Sequence, residues 1–291
     1  MRVGDDYISR NTFGLLLGGL ALLFVVAMIG LTATQYLPPE RGKAAVALTT
    51  DIGAVIFGLL AAAVLRSVSR RFQPGNPLRR IWLLLGIGIG VYALGDAVWT
   101  VLDVRSGFGE VPYPSVADAL YLAMYVFVGA GIFRTAGAFR RVGDVRKPMA
   151  EGIALTVLAS IVACVFIVAP VVADPTASLF QKVLGVAYPI GDIVVLLGPA
   201  VFIVLAARTI GGLKDVRQWW VLAIGLAVMS VSDIAFTFLD WTGEYVSGHP
   251  VDFGWMLSLL LIALAGSLSA DAAHGPKAAL ARDTVTAAGL P

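Results

Sequence analysis

Long apolar runs separated by short polar segments dominate the chain. Eight runs reach the roughly 20 residues a membrane span requires. They lie at about 13–34, 44–65, 81–102, 115–139, 150–172, 183–207, 219–240 and 251–269. Backbone groups in hydrocarbon must find partners inside their own segment, so each run is predicted to be a helix. The period-two alternation of a membrane β-barrel is absent. The pattern predicts an all-α polytopic membrane protein with eight transmembrane helices. The first run, uncharged from Phe13 to Thr34, exceeds the apolar stretch of a signal peptide and is expected to be a span.

Composition agrees: 58% of the 291 residues are hydrophobic, 14% are charged, and the mean hydropathy is +0.87. A soluble domain carries about a quarter charged residues. The formal net charge of +2, with no basic motif, argues against a nucleic-acid partner. The single Cys164 lies in an apolar run, which removes disulfide frameworks and thiolate metal sites. His249 and His274 are the only histidines, and His274 is in a polar tail, so a bis-histidine haem between helices is excluded. His249, beside Pro250, reads as a loop residue rather than a metal ligand. The one lysine near a span, Lys182, sits at its edge, which argues against a retinal Schiff base. GLLLG (14–18) and GIGIG (86–90) are embedded in spans and read as close helix packing, not phosphate loops. No motif indicates a cofactor.

Lysine and arginine set the expected orientation. Seventeen of the 21 basic residues fall on the side holding both termini and the loops 66–80, 134–149 and 208–218. Only Arg41, Lys43, Arg105 and Lys182 fall on the other. Both termini are therefore expected in the cytoplasm, in a multi-pass protein of the cell membrane.

The two halves resemble each other. GDAVWTVLD (95–103) matches SDIAFTFLD (232–240); both read Asp-x-x-aromatic-Thr-x-Leu-Asp and both end the third helix of a four-helix set. Asp51-Ile52 leads into an apolar run ending at Arg66, as Asp192-Ile193 leads into one ending at Arg208. YPSVAD (113–118) and HPVD (249–252) open the fourth helices. These matches predict two parallel four-helix repeats, 1–147 and 148–270, and a cytoplasmic tail, 271–291. An even number of spans per unit leaves both copies the same way up.

This topology gathers eight aspartates towards the outer face: Asp51, Asp96, Asp103, Asp118, Asp192, Asp233, Asp240 and Asp252. Asp103 and Asp240 are expected at the wet interface. Asp96 and Asp233 lie seven residues deeper, roughly 10 Å at about 1.5 Å per residue. An aspartate at mid-membrane costs about 2.5–3.5 kcal/mol on insertion scales, so Asp96, Asp192 and Asp233 demand partners. Thr100 and Thr237, four residues on, are candidate partners for Asp96 and Asp233. Tyr92, Trp99, Tyr113, Tyr121, Tyr125, Tyr188, Phe236, Trp241 and Trp255 fall at the same level, and aromatic faces among carboxylates suit a small cationic or amphipathic ligand. Plainer readings compete. Asp118, Asp192 and Asp252 follow prolines and suit helix starts; Asp96 and Asp233 suit interhelical locks; the aromatics suit an interfacial belt.

YPSVADALYLAMYVFVGAGIFR (113–134), AYPIGDIVVLL (187–197) and VDFGWMLSLLLIALAGSL (251–268) resemble the multi-helix N-terminal membrane module of bacterial diguanylate cyclases and phosphodiesterases, as in actinobacterial examples. The resemblance spans roughly residues 80–270. It implies a sensory input role and carries over Tyr113, Pro114, Asp118, Tyr121, Tyr188, Pro189, Asp192, Asp252 and Trp255. Such modules usually continue into cytoplasmic cyclase or phosphodiesterase domains, and no GGDEF-type or EAL-type motif appears here, so the expectation is either a membrane module belonging to a longer signalling protein or a free-standing relative with a separate partner protein or a different role. The expected partners are the bilayer, a lipid or small cationic ligand, and that signalling partner. Transport of a small cation or proton is the alternative, since intramembrane acids and internal repeats are also transporter features. An intramembrane enzyme is disfavoured: the acids face outward, are spaced by seven, and have no intramembrane histidine beside them.

Overall fold

A computed structural model describes residues 39–109, 111, 113–140, 143–210, 216–245 and 249–274. The first predicted span, 13–34, and most of the predicted tail lie outside the described residues. The other seven spans are all present as helices: α1 (Pro39–Arg71), α2 (Pro77–Arg105), α3 (Val116–Arg140), α4 (Arg146–Ala173), α5 (Leu179–Thr209), α6 (Arg217–Thr242) and α7 (Pro250–His274). All seven are long and apolar enough to cross a membrane, and no strand occurs among the described residues. This is the architecture of a polytopic all-α membrane protein.

Six helices close a ring. Helix α2 packs between α1 and α3, α3 meets α5, α5 meets α6, α6 meets α7, and α7 returns to α1. Helix α4 stands outside, against α5: only 6% of its most apolar stretch is buried, against 56% for α2. Leu94, Val126, Phe133, Phe166 and Val231 point outward along the ring and α4, as lipid-facing side chains do.

Lipid tails are as apolar as leucine, so close packing rather than water exclusion holds such helices together. Gly88 on α2 seats Val128 of α3; a Cβ there would lie 2.7 Å from a valine methyl. Gly225 on α6 seats Ile262 of α7 in the same way, at 2.9 Å. At the centre of the ring Trp82 of α2 and Trp219 of α6 stack at 6.1 Å with planes 17° apart. The Trp82 indole also donates to Ser269 Oγ at 3.1 Å.

The two ends of the ring differ in charge. One end, the arginine end, holds the α1–α2, α3–α4 and α5–α6 connections and the close of α7. There Arg71 approaches Asp271 at 4.0 Å, and the exposed Asp144 pairs with Arg146 at 2.8 Å. Hydrogen bonds from Arg146 hold the Asp144 carboxyl down at about 2. The other end, the acidic end, holds the α2–α3, α4–α5 and α6–α7 connections. Helix ends there follow ordinary rules: Ser178 and Gln181 form a reciprocal cap on α5, and Gly243 closes α6 with φ +71°.

Two π-helical turns interrupt the long helices: Cys164–Val168 in α4 and Gly191–Leu197 in α5. Each ends two residues before a proline, Pro170 and Pro199 respectively. Proline has no N–H to donate and its ring crowds the carbonyl one turn back; a widened turn relieves both. The α5 helix also runs through Pro189 without ending. The helix-start reading of Asp192 therefore fails: Asp192 lies in mid-helix, inside the π turn.

Candidate functional site

Carboxyl groups of the acidic end reach down into the ring and meet aromatic donors. Asp96, on α2, is buried and accepts the Tyr121 hydroxyl of α3 at 3.0 Å. The glycine before it makes this possible, because a Cβ on Gly95 would lie 2.6 Å from the Tyr121 ring. The same device recurs on α5. Gly191 gives its surface to the Tyr125 ring, and Asp192 beside it accepts the Tyr125 hydroxyl at 2.5 Å. Asp192 is 1% exposed, and its main-chain carbonyl also accepts from Ser230 of α6 at 3.0 Å. On α6, Asp233 accepts the Trp255 indole N–H of α7 at 2.6 Å.

The shallower acids behave differently from one another. Asp118 begins α3 and caps its own helix, accepting Ser115 N–H at 2.6 Å and Ser115 Oγ–H at 3.2 Å. Its other oxygen accepts the Tyr188 hydroxyl of α5 at 2.6 Å. Burial and the neighbouring Asp118 and Asp240 charges push the Tyr113 phenol up to about 12. Asp252, buried in the first turn of α7, accepts the Tyr245 hydroxyl at 3.1 Å. Phe236 sets its ring edge-on between Tyr245 and Trp255, at 4.7 and 5.5 Å.

Two carboxyl pairs complete the network. Asp192 and Asp233 lie within hydrogen-bond reach of each other, as do Asp51 of α1 and Asp103 of α2. Asp96 sits between the pairs, within electrostatic reach of Asp51 and Asp233. One oxygen each of Asp51, Asp96 and Asp103 is fully shielded and has no hydrogen-bond partner.

Several expectations are corrected. Thr100 and Thr237 do not partner the carboxyls; each hydroxyl donates to the main-chain carbonyl of the aspartate one turn back, Asp96 at 2.7 Å and Asp233 at 2.9 Å. A threonine four residues on points its Oγ at the freed carbonyl side of the helix, which is nearer than the side chain. Asp103 is not wet: it is 4% exposed, because α1 and the α2–α3 turn cover it. Asp240, its counterpart on α6, is exposed as expected. Asp96 and Asp233 are each bonded to the next helix in sequence, the arrangement of an interhelical lock. Trp99 is half-buried and takes no part in the hydrogen bonds described.

A hollow of about 670 Å³ does exist, but it lies between α4 and α6, walled by Phe166, Ile167, Pro170, Ile234 and Phe238. Thr237 borders a smaller one beside it. Among the described residues no group of three or more His, Cys, Asp or Glu side chains is arranged to hold a metal ion.

Tyr125, one of the aromatics expected at the level of the acids, becomes central through its bond to Asp192, and Tyr245 is the donor that the sequence reading did not name. The signal for Tyr125 was present: Gly-Asp at 95–96 and at 191–192 marks, in both places, a ring seated on glycine with its hydroxyl on the adjoining acid. No family profile, curated protein or solved structure matches the chain.

Proposed function

We propose that the chain is an integral membrane sensory or ligand-binding module, made of two parallel four-helix repeats, with its site between the repeats at the acidic end. That end faces outward and the arginine end faces the cytoplasm, following the bias of basic residues. In this reading the termini are cytoplasmic and the protein is multi-pass in the cell membrane. A cytoplasmic signalling domain or partner receives the signal, as the resemblance to cyclase and phosphodiesterase input modules implies.

The repeat is supported by contacts that recur at fixed offsets. Residues of α2 and α6 correspond 137 positions apart, and those of α3 and α7 correspond 134 apart. Asp96 with Tyr121 then corresponds to Asp233 with Trp255, and Gly88 with Val128 to Gly225 with Ile262. Trp82 corresponds to Trp219, so the stacked pair lies on the pseudo-twofold axis. The α3–α5 and α7–α1 contacts are the two interfaces that such an axis exchanges.

The observation that carries the sensing reading is the pair of bonds crossing between the halves: Tyr188 to Asp118 and Tyr125 to Asp192. A small cationic or amphipathic ligand that engages Asp118, Asp192, Asp233 or Asp252 competes with the donors that now hold them. Helices α3 and α5 carry any resulting shift to the arginine end. Asp96, Trp99, Thr100, Tyr121, Tyr188, Phe236, Thr237 and Trp255 complete the binding region in this reading. The test is spin-label distance measurement between the arginine ends of α3 and α5, on the full chain in nanodiscs, during a screen of amines and lipids. A ligand-dependent distance change that disappears in Asp96→Asn/Asp233→Asn supports sensing. A change that persists in that variant makes the acids structural only.

Proton or cation passage is the second reading, favoured by the two carboxyl pairs. Against it, the ring towards the arginine end is filled by Leu65, Trp82, Leu85, Ile203, Leu222 and Leu226, none more than 1% exposed. Flux into proteoliposomes that follows an imposed cation or proton gradient would select this reading.

A further inference from the structure

Asp51 of α1 and its neighbour Asp103 of α2, at the corner where α7 meets α1, lack the tyrosine donors that satisfy the acids of α3–α5. Under the repeat register, Tyr188 corresponds to Ala47 and Tyr125 to Leu259. The change of residue leaves a consequence in the coordinates: Asp51 Oδ2 and Asp103 Oδ2 are fully shielded and no donor reaches them. Asp103 is 96% buried, and the two carboxyls reach each other.

The surroundings are acidic on every packed side. Helix α2 presents Asp96 and Asp103 to Asp51, and α7 presents Asp252. Tyr245 donates to Asp252, Tyr121 to Asp96. The cation nearest Asp103 is Lys43, which is exposed and on the same helix as Asp51. Among the described residues no group of three ligands is arranged for a metal ion, and the hollows described lie against α4 and α6, away from this corner. Two carboxyls within hydrogen-bond reach, each with one shielded oxygen that no donor reaches, are joined by a proton or else repel.

We propose that the corner of α1, α2 and α7 is a proton-binding site, with one exchangeable proton held between Asp51 and Asp103, and that its release loosens α1 from α2 and α7. The O–H bond on one carboxyl breaks, the proton passes to water at the acidic end, and two anions are left facing Asp96 and Asp252. The α3–α5 interface, closed by neutral tyrosine hydroxyls, keeps its bonds over the same change. The inference rests on the sensing reading only in naming what the loosening would transmit; occupancy by the proton is read separately.

The experiment is infrared difference spectroscopy of the full chain in nanodiscs across a pH titration, following the C=O stretch of protonated carboxyls. The expected result is one band component in the wild type that disappears as pH rises, is lost in Asp51→Asn and in Asp103→Asn, and persists in Asp240→Asn, with any bands of Asp96 and of the Asp192–Asp233 pair common to all four proteins. Asparagine retains a hydrogen bond to the remaining acid, so folding is preserved; Asp103→Asn alone decides if Asp51→Asn does not assemble. Cross-linking of Gly53→Cys to Met256→Cys in a Cys164→Ala background provides the second reading, since Gly53 touches Met256 across α1–α7. Yield is expected to fall with rising pH, and to stay flat when Asp103→Asn is added. A wild-type pH difference spectrum that is unchanged in both asparagine variants overturns the proposal. So does a band removed by sodium at fixed pH, which would make a bare cation the ligand. A band behaving as expected while the α3–α5 distances never move would leave the proton site standing and refute the sensing reading instead.

Discussion

The α3–α5 and α1–α7 interfaces close the same ring at the same end of the molecule, yet they settle their buried acids in opposite ways. At α3–α5 each carboxyl has a donor of its own: Tyr188 for Asp118 and Tyr125 for Asp192. Where α7 meets α1, Asp51 faces Asp103 of the neighbouring α2, while Asp252 of α7 close by takes the Tyr245 hydroxyl. A buried polar group that is satisfied fixes one arrangement, and one that is not raises the energy of that arrangement relative to others. The difference teaches which seam of the ring is a weld and which is able to move.

The strongest way to break this contrast is to remove the seat of a tyrosine. Gly191→Ala places a methyl 2.7 Å from the Tyr125 ring, so ring or helix must shift, and the bond to Asp192 is lost with it. Overpacking of this kind costs about 1–3 kcal/mol, and SDS-driven unfolding in mixed micelles should show a loss of that size. Gly95→Ala, which displaces Tyr121 from Asp96 within the first half, should cost a similar amount while leaving the α3–α5 spin-label distances intact. If Gly191→Ala unfolds like the wild type, the Tyr125–Asp192 bond is not what closes the seam.

Removing the hydroxyls alone is a milder step. Interhelical hydrogen bonds in membranes average about 0.6 kcal/mol and reach about 1.7. Tyr125→Phe should lie near the upper figure, because Asp192 is the more deeply buried acid. Tyr188→Phe should lie near the average or below, since Asp118 keeps both bonds from Ser115. Equal losses would mean that burial does not grade these bonds.

Asp103→Asn probes the other seam by the same unfolding measurement and should reverse the sign. The amide donates to Asp51 and supplies what the pair lacks, so at neutral pH stability should be unchanged or raised by up to about 1 kcal/mol. A loss comparable to that of Tyr125→Phe would remove the distinction between the two interfaces.

The spans were legible because hydrocarbon imposes one rule on every backbone group, and apolar length alone then marks a helix. The seven predicted runs within the described residues all became helices, most of them extended into polar sequence, as from 81–102 to Pro77–Arg105. Which acids would be deep was legible from their spacing along α2 and α6. Their partners were not, because a partner depends on which helix lies beside which, and the ring order that brings α3 to α5 is not written in any one span. Asp103 shows the limit of depth as a guide: seven residues shallower than Asp96, it is no less covered, because α1 lies over it. Asp192 shows another. Proline three residues earlier suggested a helix start, but a π turn lets α5 continue through the region. The Gly-Asp dipeptides carried the missing information in a form that helical periodicity does not weigh.

The smallest effect is expected at Thr100 and Thr237, and it separates two accounts of the same residues. Spacing of four from Asp96 and Asp233 suggests hydroxyls that satisfy the carboxyls, and loss of such a bond would expose a buried acid. In the structure each hydroxyl instead donates to a main-chain carbonyl that already lies in the helix ladder. Such back-bonding adds little and slightly bends a helix. Thr100→Val and Thr237→Val preserve shape and remove only that bond, so each should change stability by less than about 0.5 kcal/mol. Both should leave the carboxyl infrared bands where they are. A band shift in Thr100→Val would return the hydroxyl to Asp96 and shorten the list of donors that Tyr121 has to replace.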